Sequence, residues 1–124
     1  MAGVEALQRG DFAEAEQNLQ ASLRLIPDRV STLTNLSAAQ IKLKKYDLAL
    51  AHARRSIEVD QQNKMGWLNL GLANFHQHQF SDALEAYDRA LKIDRELAEA
   101  WTNRGTVLNS LRRHADALLR HAAD

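Results

Sequence analysis

The chain contains no cysteine, which excludes disulfides, thiolate metal centres and cysteine nucleophiles. It carries one proline and five glycines among 124 residues, so few positions interrupt a regular backbone. No apolar run approaches the roughly 20 residues of a membrane-spanning helix. Charge of one sign is missing too, since 16 lysines and arginines balance 16 aspartates and glutamates. That balance argues against a nucleic-acid or anionic-membrane surface, both of which need clustered positive charge. The start, Met1-Ala2-Gly3-Val4, offers neither the basic nor the apolar segment of a secretory signal. The expectation is a soluble cytoplasmic protein with no nucleic-acid and no membrane partner.

What the chain does have is a period, of about 34 residues. Trp67 and Trp101 mark it, and Ala15, Ala49, Ala83 and Ala117 recur at the same interval. Gly3, Gly71 and Gly105 form a second ladder, with Ser37 filling its gap, and Phe12, Tyr46 and Phe80 a third. A fixed period of this length marks a solenoid, in which each unit buries its apolar face by stacking on its neighbours.

Apolar residues recur at three- and four-residue spacing, the signature of amphipathic helices. The spacing predicts helical hairpins at 2–9 with 12–25, 30–43 with 46–59, 64–77 with 80–93, and 98–111 with 114–122. Gly10-Asp11 supplies a helix-ending glycine followed by an N-cap carboxylate, and Pro27 stops the helix before it. The expected fold is all-α: a right-handed α-solenoid of stacked antiparallel helix pairs, about 3.5 repeats. It forms one domain over 1–124, with repeats at 1–29 (partial), 30–63, 64–97 and 98–124 (partial). Small pairs such as Ala39/Ala49 and Ala73/Ala83 would let the helices of a pair approach, and Trp67 and Trp101 would be core wedges.

No constellation for chemistry emerges. His76 and His78 are separated by a single residue and do not share a helix face, and no carboxylate or cysteine stands at ligand spacing. The serines within helical patterns lack elbow glycines and a fixed base. Glu14 and Glu16 read as exposed acids near a helix start, where the macrodipole favours them. Lys44-Lys45 and Arg54-Arg55 read as a small basic face. No catalytic residue, metal or cofactor is expected, and the chain reads as non-enzymatic.

Trp67, Leu70, Gly71, Phe80, Ala83, Tyr87 and Ala90, echoed by Trp101, Gly105 and Ala117, by Leu36, Tyr46 and Ala49, and by Gly3, Phe12, Ala15 and Pro27, resemble the tetratricopeptide repeat. The resemblance implies a concave groove, lined by the first helix of each pair, that holds peptides or partner proteins. Carried across residue by residue, it assigns to the groove Val4 and Leu7; Ser31, Thr34, Asn35, Ala38 and Ile41; Met65, Leu68, Asn69, Leu72 and Phe75; and Glu99, Thr102, Asn103, Thr106 and Asn109.

Asn35, Asn69 and Asn103 again recur at the repeat interval. An amide both donates and accepts, so it can pair with an extended backbone of any sequence. Successive first helices would stack roughly 10 Å apart, and a peptide advances about 3.3 Å per residue, so one asparagine would meet roughly every third residue. The row resembles the asparagine ladder in the repeat domain of O-linked N-acetylglucosamine transferases, where it holds substrate polypeptide. Asparagines that merely bind water, and Leu68, Leu72 and Phe75 as core, are the alternative readings. The carboxylate clamp of some relatives needs Lys and Asn where Thr34 and Ala38 stand here, and Lys and Arg where Glu99, of the wrong sign, and Asn103 stand; only Asn69 matches it. Self-association into a dimer or filament through open terminal repeats is a second expectation. A targeting arm of a larger enzyme, such as a glycosyltransferase, is a third.

Overall fold

A computed structural model describes residues 2–123. Its helices are α1 (Ala2–Gln8), α2 (Phe12–Leu25), α3 (Val30–Lys42), α4 (Tyr46–Val59), α5 (Lys64–His76), α6 (Phe80–Ile93) and α7 (Ala98–Ala123). No strand occurs among the described residues. Six of the expected helices are present with ends displaced by at most one residue.

Each hairpin turns on one residue in the left-handed region, again at the repeat interval: Gly10 (φ 81°), Lys44 (φ 62°) and His78 (φ 61°). The chain closes behind each of them in the same way. Asp11 N–H donates to Ala6 O (2.9 Å), Lys45 N–H to Gln40 O (2.8 Å) and Gln79 N–H to Asn74 O (2.9 Å). These are the 6→1 bonds of the Schellman ending, which satisfy carbonyls that a helix end leaves open. At the helix starts, Asp11 accepts from Glu14 N–H and Asn63 from Gly66 N–H.

Within a pair, small residues bring the helices together. Ala39, Ala49, Ala73 and Ala83 are all fully buried, with Leu36 and Tyr87 filling the space beside them. Across pairs, α1 touches α3, α3 touches α5 and α5 touches α7, whereas α2, α4 and α6 do not touch one another. First helices that converge while second helices diverge make a curved stack with the first helices inside. Ion pairs cross the seams: Lys64 with Asp94 (2.7 Å), Arg104 with Asp88 (2.8 Å) and Arg55 with Asp28 (2.7 Å), while Glu58, one turn along α4, also pairs with Arg55 (2.9 Å).

Three expectations need correcting. The fourth pair is not a hairpin: 98–111 and 114–122 run on as one helix of 26 residues. The counterpart of Gly10, Lys44 and His78 is Arg112, and a left-handed arginine would cost about 1–2 kcal/mol. The residues that would repay it are weak, because His114 and His121 stand where Phe80 and Tyr87 stand in the third repeat. Trp101, consequently, is 53% exposed rather than a core wedge, although Trp67 packs partly buried against the core. Finally, Glu16 is 7% exposed, and the basic face around Lys45 and Arg55 is occupied by the pairs these residues make with Glu16, Asp28 and Glu58.

Candidate functional site

The inner face is built by α1, α3, α5 and α7, and the structure sorts the expected groove residues into three kinds. Some are core. Leu68 is 1% exposed and belongs to the cluster containing Tyr87, Leu91 and Val107. Ile41 is buried beside Ala49 and Ala73. Thr34 is buried, with its hydroxyl donating to Val30 O and Ser31 O at 3.1 Å each.

Others are half-buried and present an edge. Leu72 and Phe75 pack against the core from outside. The Phe75 ring lies 5.7 Å from that of Phe80 and 5.4 Å from that of His76, which stacks on Tyr46 at 4.7 Å. Partial burial and the nearby Lys44 charge hold the His76 imidazole below its ordinary pKa. Val4, Leu7, Asn35, Ala38 and Asn103 are half-buried as well.

The rest are open: Ser31, Met65, Glu99, Thr102, Thr106 and Asn109. Met65 is an exposed apolar side chain, and Thr106 returns its hydroxyl to Thr102 O at 3.1 Å. Glu99 is the only formal charge among these groove positions. The inner face therefore combines an apolar strip on α5 with uncharged hydroxyls and amides on α3 and α7.

The asparagine row is not uniform. Asn69 is 4% exposed, and its Nδ2 donates to Thr34 O on the preceding first helix at 3.0 Å. One asparagine thus ties two repeats together. Asn103 occupies the same register one repeat later, yet its buried Nδ2 has no hydrogen-bond partner among the described residues.

One polar cluster lay outside every expectation. Glu16 accepts from Lys45 Nζ (2.6 Å) and from Gln40 Nε2 (3.3 Å), and Gln40 Oε1 meets His52 Nδ1 at 2.8 Å. Burial lowers the His52 pKa, partly opposed by a backbone hydrogen bond at Leu48 and by the Glu16 charge. The signal was in the repeat: Leu50 and Leu84 occupy the position of Glu16 in the next two units, and an acid at an apolar register position needs buried partners. The cluster joins the first two repeats. No group of three or more metal-ligating side chains occurs among the described residues, and no described helix is long and apolar enough to cross a membrane.

Comparison with known proteins agrees with this architecture. Over 83 residues, 67% of this chain, the sequence is 29% identical to mouse sperm-associated antigen 1, of which the match spans 9%. Among solved structures, the Sgt2 tetratricopeptide domain from Aspergillus fumigatus superposes with a TM-score of 0.86 at 22% identity, covering 92% of this chain and 77% of that one. The first tetratricopeptide domain of Spaghetti (RPAP3), bound to the HSP90 peptide SRMEEVD, superposes with a TM-score of 0.84 at 20% identity, covering 89% and 87%. Tetratricopeptide repeat models match residues 1–63 and 65–97. With the repeat register and three stacked hairpins in place, the chain belongs to the tetratricopeptide repeat family.

Proposed function

We propose that this chain is a non-catalytic scaffold whose inner face holds an extended, largely uncharged peptide or partner segment. The observation that carries the reading is the composition of that face. Met65, Leu72 and Phe75 offer an apolar strip, flanked by the open hydroxyls of Ser31, Thr102 and Thr106 and the amides of Asn35 and Asn109, with the Nδ2 of Asn103 buried beneath them. Apolar edges bind side chains, while neutral donors and acceptors pair with a peptide backbone without selecting its charge. Asn69 contributes by holding α5 against α3 and thereby shaping the groove; Leu68 and Thr34 act from beneath it.

The related repeat domain bound to SRMEEVD accommodates a peptide rich in carboxylates. Here a like peptide would face Glu99 with no cation at the flanking groove positions, and like charges at close range are repulsive. Fluorescence anisotropy with labelled peptides tests the difference. Uncharged extended peptides are expected to bind at least about tenfold more tightly than SRMEEVD, a gap of about 1.4 kcal/mol. Preferred binding of the acidic peptide would overturn the proposal.

A further inference from the structure

The continuous α7 carries a largely apolar stripe that none of the described residues covers. Trp101, Gly105, Leu108, Arg112, Ala115, Leu119 and Ala122 follow one another at spacings of four and three, the seam pattern of paired helices. All are exposed, Leu119 at 69%. At 100° per residue the stripe lies about a third of a turn from Ala100 and Val107, which anchor α7 to the core, and away from the groove side at Thr102, Thr106 and Asn109.

Two observations mark the stripe as prepared for a partner. A β-carbon at Gly105 would meet nothing within 4 Å, although at Gly71, its counterpart, the ring of Tyr87 fills that space. Trp101 Nε1 donates to Arg95 O at 2.8 Å, as Trp67 Nε1 does to Gln61 O at 2.9 Å. The exposed indole is therefore already fixed in the orientation of its packed counterpart, and little side-chain freedom remains to be lost on docking.

We propose that the occupant is a second copy of this chain, with the two α7 helices antiparallel across a two-fold axis at Arg112. In that arrangement the apolar positions of the stripe complement one another. Trp101 falls opposite the partner's Ala122, Gly105 opposite the partner's Leu119, and Leu108 opposite the partner's Ala115, so each apolar pair joins a large side chain to a small one, while Arg112 meets the partner's Arg112 on the axis. The two Arg112 guanidiniums repel at the axis, and Asp116, one turn beyond Arg112 on the rim of the stripe, offsets this by bringing a carboxylate within reach of the partner's Arg112. The contact is modest. A seam about 32 Å long and about 10 Å wide covers roughly 320 Å² per copy, about two fifths of a standard interface. The dimer is accordingly weak, concentration-dependent and independent of what the groove binds.

Sedimentation equilibrium of the whole chain from about 10 μM to about 1 mM tests it. The mass should climb from 14.0 kDa towards twice that value. Leu119→Glu and Gly105→Leu should each weaken association by roughly tenfold or more, and Gly105→Leu should not lower the melting temperature, since the site is open and leucine favours a helix. Combining Gly105→Leu with Leu119→Ala exchanges large for small and should restore much of the association. A chain that stays at 14.0 kDa throughout, or a dimer indifferent to both single substitutions, would overturn the proposal.

Discussion

Gly71 lies flat against the ring of Tyr87: a β-carbon added to the glycine would stand 2.4 Å from Tyr87 Cε1. That contact closes the third hairpin, and it explains why the glycine ladder survives in a helix that would otherwise favour alanine. Gly71→Ala should destabilise the chain by about 1–2 kcal/mol, overpacking outweighing the gain in helix propensity. Gly105→Ala, where the space is empty, should instead stabilise it by about 0.5–1 kcal/mol. Urea unfolding of both variants at low protein concentration reads the opposite signs directly.

Tyr87 offers a companion test. Its hydroxyl is buried without a hydrogen-bond partner among the described residues, and burial, with the Glu99 charge, pushes its pKa well above the usual range. A buried donor with nothing to bond is better removed. Tyr87→Phe should therefore leave the melting temperature unchanged or raise it, and a clear fall would show that the hydroxyl is satisfied in solution.

For the asparagine row, stability separates the members. Asn69→Ala removes the bond to Thr34 O that ties α5 to α3, which should cost about 0.5–1.5 kcal/mol. Asn103→Ala removes an amide whose Nδ2 has no partner and should cost less than half as much. Equal losses would mean that both asparagines brace the stack alike.

The helix ladder was legible in the sequence because periodicity reports burial, and burial recurs with the repeat. Ala39, Ala49, Ala73 and Ala83 were read as contact points and are fully buried. Failures arose where one residue overrode the register. Lys44 and His78 take the left-handed turn position at the same cost that Arg112 would, but His114 and His121 stand where Phe80 and Tyr87 repay it in the third repeat, so the last hairpin opened into α7. Leu68 and Asn69 are neighbours on the boundary between groove and core, where 100° of helical rotation decides exposure and sequence spacing is too coarse to do so. Glu16 was read from its acidic type, whereas its counterparts Leu50 and Leu84 reported its environment.

The pH response follows from His52. Its folded-state pKa is below the ordinary 6.5, chiefly through burial, and that of His76 is lowered as well. Between the depressed values and 6.5 the unfolded chain binds more protons than the folded one, so stability rises with pH across that window and is complete above it. Asp28 and Asp94 are lowered from 3.8 and act only in more acid solution. The urea midpoint should fall between pH 7.5 and pH 5.5, and His52→Gln should flatten the fall; an unchanged slope would assign it elsewhere.

The central claim is that the inner face binds extended, uncharged polypeptide. A random-peptide array probed with the wild-type chain, with Met65→Glu/Thr106→Glu and with Leu119→Glu tests it most directly. Both groove positions are exposed and Leu119 lies on the outer face of α7, so all three proteins should fold. The account predicts that the wild type and Leu119→Glu retain the same uncharged peptides and that the groove variant loses them. Retention of those peptides by the groove variant, or no retention by any of the three, would contradict it.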